Sequence, residues 1–440
     1  MLKTLDQKLA NIRANPHAAK DFILADAKDA DMATGLAATG KDPVTGRARS
    51  LAGYRDQMRE IVKQGLVDIM LMSCSTMEQL AIRERLFVDS RITPAVRAND
   101  TTDIHLPTGG TYGGEPSRPF RTATIEQMMA GRANPAAHEM SLGASLGLYS
   151  ITPNNKLEFD YPTLLAYKDF RLEAEAKGFR HFLEVFDPNA CGDHCPQDLG
   201  RFVNDLIVRT LAGVPSTGRP VFLKIVYHGP KAMEELAAYD PLLVPGILGG
   251  SSGTTYDAFK LLVEAKRYGA RAALYGRKIN NSEHQLTFVR FLSMLTRDEI
   301  SPEEAVRAYH GELAKLGIKP YRALAEDSQL TTTATSYAGG STVTVPEKVA
   351  PTPIPAPSFS RDPKGEPKAS PKASAPSAEV RTAVIPSPVF KTDAYPTKAD
   401  GTPDFKKMTP AQKVMLARQR IQSDLSTGTE TGNGARPRRF

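Results

Sequence analysis

The stretch VFLKIVYHG, residues 221–229, is a near-continuous apolar run with one ammonium group, Lys224, set inside it. A strand that is apolar on both of its alternating faces is what a parallel sheet covered on both sides requires. A cation buried in such a strand is costly unless it is paired or discharged. Desolvation lowers an amine's pKa and leaves a neutral nucleophile, so Lys224 is a candidate for Schiff-base formation with a carbonyl compound. The other reading is a lysine at a strand end that snorkels outward or pairs with a carboxylate.

Working outward from this run, similar ones recur along the first 330 residues. They are DFILADAKD (21–29), VDIMLMS (67–73), ITPAVRAND (92–100), EMSLGASLGLYS (139–150), HFLEVFD (181–187), LVPGILGG (243–250) and RAALYGR (271–277). Helix-like stretches fall between them, among them YRDQMREIVKQG (54–65), TMEQLAIRERLF (76–87), TATIEQMMAG (122–131) and YPTLLAYKDFRLEAEAKG (161–178). Eight strand-then-helix units in about 300 residues predict an α/β fold of the (β/α)8, or TIM barrel, kind rather than an open sheet. That topology places chemistry at the C-terminal ends of the strands and in the loops that follow.

Composition divides the chain. Residues 331–440 hold 15 of the 33 prolines, with 16 Lys and Arg against 9 Asp and Glu, so the net charge of +7 resides there and residues 1–330 sum to zero. A neutral body argues against a nucleic-acid-binding face on the barrel, because phosphate recognition needs a concentrated basic footprint. Residues 331–405 read as a disordered Pro-, Ser- and Ala-rich linker. In 406–440, Thr409 as N-cap, Pro410, and Gln412 completing a capping box predict a short amphipathic helix ahead of a basic end. The helix at 406–425 is a candidate docking element for a protein partner, with a marginal, transient helix as the competing reading.

Three cysteines, Cys74, Cys191 and Cys195, are too few for a disulfide framework and suggest a reducing compartment. No run approaches the roughly 20 apolar residues of a membrane span, and nothing near Met1 reads as a signal peptide. A cytoplasmic protein, as a homo-oligomer without membrane attachment, is expected.

At the strand ends, Glu184 sits among apolar neighbours, where a carboxylate must be paired or have a raised pKa. In adjacent strands of matching register it would lie roughly 5 Å from Lys224, as catalytic partner or as simple ion pair. Asp26 is the candidate inward-facing carboxylate of the first run. Lys28, two residues on, shares its face, while Asp29 and Asp31 read as solvated loop acids. Arg97 is a candidate substrate-binding group, with Gly109, Gly110, Gly113 and Gly114 forming a flap nearby. Gly249, Gly250 and Ser251 after the seventh run, with Gly276 and Arg277 after the eighth, suit a phosphate. Tyr227 and His228 are possible proton relays. The loop DPNACGDHCPQD lacks a standard zinc spacing, so no metal and no cofactor are expected.

These motifs, LADAKD, FLEVFDPN, VFLKIVYHG, GILGGSSG and LYGRKI in that order over residues 20–320, resemble the class I aldolase barrels of the DhnA, LacD and DeoC type. The resemblance implies a Schiff-base lysine at Lys224, proton transfer assisted by Asp26 and Glu184, and phosphate held by Gly249, Gly250, Ser251, Gly276 and Arg277. It implies a small phosphorylated carbonyl compound as substrate and a lyase that makes or breaks a carbon–carbon bond. Many such proteins carry a second lysine on strand four, and EMSLGASLGLYS has none. Either Lys28 or another group replaces it, or the barrel is a catalytically inactive ligand-binding or scaffold module displayed through its tail.

Overall fold

Each of the eight apolar runs contributes one strand to a closed, all-parallel barrel in the computed structural model, which describes residues 2–33, 35–41, 45–250 and 253–331 and seven positions between 396 and 412. The strands are β1 (Ile23–Lys28), β2 (Ile69–Met72), β3 (Thr93–Arg97), β4 (Leu146–Ile151), β5 (Arg180–Val185), β6 (Leu223–Ile225), β7 (Gly246–Leu248) and β8 (Ala272–Tyr275). They pair in sequence order and close β8 onto β1. Helices cross between the strands, among them Leu51–Gln64, Leu157–Ala176, Leu199–Leu211, Thr255–Arg267 and Gln285–Thr296. The fold expected from the sequence is therefore the fold observed.

Two apolar layers explain the continuous hydrophobic runs. Ile23, Ala25, Ala27, Ile69, Leu71, Ala95, Leu148, Phe182 and Leu274 fill the barrel interior, while Leu24, Met70, Val96, Leu183, Ile225 and Tyr275 pack outward with the helices. A helix that the sequence reading did not single out, Thr4–Ala14, adds Leu5, Leu9 and Ile12 to the interior cluster. It closes the N-terminal end of the barrel.

Two segments depart from expectation. The helix expected at 76–87 is a short α-turn, Cys74–Met77, that widens into a π-helix over Glu78–Arg83 and stops before Arg85, whose φ is +56°. The run from Glu139 becomes a strand only at Leu146, because its first part forms the single-turn helix Ala137–Ser141.

Cys191 and Cys195 are joined in a disulfide with Cα atoms 4.8 Å apart, a single local bridge where three cysteines read as too few for a disulfide framework. The barrel body extends to Thr331, whose N–H and hydroxyl donate to Asp257 at 2.9 and 2.8 Å. Of the helix expected after residue 406, Thr409 and Gln412 are described, and they exchange the two hydrogen bonds of a capping box. Apart from these two and from Lys407 and Met408, the rest of that helix lies outside the described residues, as does the linker apart from Thr331, Pro396, Lys398 and Asp404. Among the described residues no helix is long and apolar enough to cross a membrane.

Candidate active site

Register alone brings the central groups together. Ser150 on β4 is level with Glu184 on β5, which is level with Lys224 on β6. All three share the interior face with Leu148, Phe182 and Phe222, one pleat further toward the C-terminal end. Lys224 Nζ meets Glu184 Oε1 at 2.5 Å, and both side chains are almost wholly removed from water. The approach is that of an ion pair, off the axis of a hydrogen bond, and among the described residues Oε1 accepts no hydrogen bond from elsewhere. The second oxygen, Oε2, accepts from the Ser150 hydroxyl at 2.6 Å.

Arg97, expected to bind substrate, is instead buried behind this pair. Its Nη1 donates to Asp29 at 2.8 Å, its Nε to the Asn99 carbonyl at 3.0 Å, and its Nη2 to Ser150 Oγ at 3.0 Å. The same Nη2 lies 3.8 Å from Glu184 Oε2. Asn99 pins Ser150 from both sides, donating to its carbonyl at 2.8 Å and accepting from its N–H at 2.7 Å. Near the C-terminal end of β4 the inner face therefore carries a serine backed by a guanidinium from β3.

Asp26 does not face inward, which corrects the expectation for it. It is level with Tyr275 and Met70, both on the outer face, and Lys28 beyond it reaches Gln285 Oε1 at 2.8 Å and lies over the Tyr54 ring, on two of the covering helices. Asp26 and Lys28 form a pair 3.7 Å apart outside the barrel wall, both fully buried. Burial pushes the Asp26 carboxyl up to about 6 against the opposing pull of Lys28. Burial likewise holds Lys28 below its ordinary value, with Asp26 pulling it back up. Lys28 thus does not replace the absent lysine.

Asp29, read from the sequence as a solvated loop acid, continues the inner face of β1 after Ala25 and Ala27 and is buried. It lines a cleft at the barrel mouth together with Lys224, Gly249, Gly250, Gly276 and Arg277. Four of the residues singled out for phosphate binding therefore converge on the side of the mouth where Lys224 opens. Ser251, the fifth, lies outside the described residues. Gly276 is needed for close packing, since a Cβ there would come within 2.5 Å of the Ala27 carbonyl. Lys278, which the sequence reading passed over, ties the two loops by donating to Gly253 O at 2.9 Å, and burial pushes it down to about 8.

Around the rim, Asp187 and His228 pair at 2.8 Å, whereas Tyr227 packs into the outer layer with its hydroxyl buried and directed away from the interior. The glycine-rich segment is anchored rather than loose. Asn189 donates to the carbonyls of Gly113 and Glu115 at 3.1 and 2.7 Å, Ser117 donates to Asp103, and Leu106 N–H donates to Ala33 O. It therefore reaches from the loop after β1 to the loop after β5. Among the described residues no group of three or more His, Cys, Asp or Glu is arranged to hold a metal ion.

No protein-family model matches the chain, and no curated protein matches it. Solved structures do. A fructose-bisphosphate aldolase from Slackia heliotrinireducens is 14% identical with a TM-score of 0.50, over 70% of this chain and 91% of that one. An archaeal fructose 1,6-bisphosphate aldolase is 14% identical with a TM-score of 0.47, over 66% and 99%. An orotidine 5'-phosphate decarboxylase from Pyrococcus horikoshii is 10% identical with a TM-score of 0.35, over 62% and 99%. At 14% identity the likeness to the Slackia protein bears on the barrel fold alone, and that fold hosts many chemistries.

Proposed function

We propose that this chain is a Schiff-base-forming lyase of the aldolase type, acting on a phosphorylated ketose or a related carbonyl compound. The observation that carries the reading is an amine at the inner end of β6, shielded from water, 2.5 Å from a carboxylate and opening on a cleft rimmed by glycines and Arg277.

In this reading Glu184 takes a proton from Lys224, and the neutral amine adds to the substrate carbonyl to give a carbinolamine. Glu184 returns the proton to the carbinolamine hydroxyl, which leaves as water as the C=N bond forms. The iminium then draws in the electron pair of the neighbouring C–C bond. The hydroxyl proton of the departing aldehyde goes to a carboxylate, Glu184 or Asp29. Protonation of the enamine and addition of water release the second product and restore the amine. Gly249, Gly250, Gly276 and Arg277 hold the phosphate, with Arg277 supplying charge.

Borohydride added with dihydroxyacetone phosphate should leave a reduced adduct on the peptide that carries Lys224, and none in Lys224→Met. Arg277→Met should raise KM for phosphorylated substrates far more than for their unphosphorylated counterparts. If the folded protein traps nothing across a panel of phosphorylated ketoses and aldehydes, the reading is wrong.

A further inference from the structure

The hydrogen bonds around Glu184 are not interchangeable, and their direction follows from donor chemistry. Arginine has donors only, so Ser150 Oγ must accept from Arg97 Nη2. A hydroxyl has a single proton, and the oxygen that takes it is Glu184 Oε2, 2.6 Å away. The Arg97 charge stands 3.8 Å from the same oxygen. The guanidinium cannot rotate to change this order, because Asp29 and the Asn99 carbonyl hold its other nitrogens. Nor can Ser150 turn away easily, since Asn99 grips both its N–H and its carbonyl. Glu184 therefore has one oxygen already supplied with a hydrogen and faced by a cation, and another that, among the described residues, faces the amine of Lys224 alone.

We propose that Arg97 and Ser150 are positioning residues that reserve Oε2 as an acceptor, so that a proton moving onto Glu184 is carried on Oε1, against Lys224. This rests on the Schiff-base reading and adds to it a reason for a serine and an arginine where a second lysine is absent. Each proton taken from the ammonium is delivered back over the same short path, with no rotation of the carboxyl group between steps.

The test uses the full-length protein and pentane-2,4-dione, a neutral diketone that converts a reactive lysine amine to an ultraviolet-absorbing enaminone with loss of water. Rates are followed across pH 5–9 for the wild type, Ser150→Ala, Ser150→Thr and Arg97→Lys, with Lys224→Met as the blank and circular dichroism as the check on folding. The expected result is a loss of about tenfold or more in Ser150→Ala, within the usual range for general acid–base assistance. The acid limb of its profile should move to higher pH, because the carboxylate has lost a hydrogen bond to its charged form. Ser150→Thr, which keeps the hydroxyl, should restore both rate and profile, and Arg97→Lys should fall between. If Ser150→Ala does not fold, Ser150→Cys, a weak donor of near-equal size, takes its place. A wild-type rate and profile in Ser150→Ala, or a slower rate with the profile unmoved, overturns the proposal while leaving the Schiff base intact. No enaminone in the wild type overturns the Schiff-base reading itself.

Discussion

Removing one partner of the Lys224–Glu184 pair and then both gives the sharpest stability test of this site. The two groups sit 2.5 Å apart with 3% and 0% of their surfaces exposed. At an effective dielectric constant near 20, charges at that separation attract by roughly 7 kcal/mol before the cost of taking them out of water. Breaking such a pair by removing one side typically costs about 3–5 kcal/mol, because a charge is left without its partner. Lys224→Met should therefore destabilise by about 3 kcal/mol, with part of the damage relieved as Glu184 takes up a proton. Glu184→Gln should cost a similar amount through the stranded ammonium. The double variant leaves no isolated charge, and Ser150 can still donate to the new amide oxygen. It should be no worse than either single variant, so the coupling in the cycle should reach about 2 kcal/mol or more. For a body of roughly 330 residues the unfolding entropy is about 0.7 kcal/mol/K, so 3 kcal/mol corresponds to a fall of about 4 °C in Tm. Urea titration and thermal melts of the four proteins give the numbers. Additivity within about 0.5 kcal/mol would show that the two side chains do not meet in a water-free site, and the mechanism would lose its starting point.

Two further outcomes are expected. The folded protein holds a proton on Asp26 up to a pH of about 6, whereas the unfolded chain releases it near 3.8. This contribution to stability is therefore complete below pH 4 and lost as pH rises through 6. Asp26→Asn should gain on the wild type across that window, by at most about 3 kcal/mol, with diketone labelling of Lys224 unaffected; a difference in unfolding free energy that is flat from pH 4 to 7 would refute the burial argument. A Cβ on Gly249 would come 2.2 Å from Cδ1 of Tyr275, a buried ring whose hydroxyl is fixed to the Ala258 carbonyl at 2.7 Å. Gly249→Ala should therefore cost about 1–3 kcal/mol or more by overpacking, and a melt indistinguishable from wild type would show that the ring is free to move.

The barrel was legible because its signal is repeated. Eight apolar runs at crossover spacing leave few alternatives, and each overlaps its observed strand, although the fourth run becomes a strand only at Leu146. Lys224 and Glu184 were legible for a related reason, since a charge inside such a run stands out against its surroundings. Ser150 does not stand out in this way, because a hydroxyl at a strand end is unremarkable in composition. Its position, last but one in β4 and level with Glu184, was the available signal. Asp29 was passed over in favour of Asp26 because both residues lie at the end of the same run.

The chain's own order of residues determined the number of strands, their sequence around the barrel and the burial of Glu184 and Lys224 within two of them. It could not determine which way each side chain points. In a strand covered on both faces the alternation that marks inside from outside is absent, and a shift of one residue exchanges the two. Closure of the barrel supplied that parity: it sent Asp26 and Lys28 out among the helices and turned Asp29 inward. It also set Arg97, Ser150, Glu184 and Lys224, drawn from four separate strands, within reach of one another.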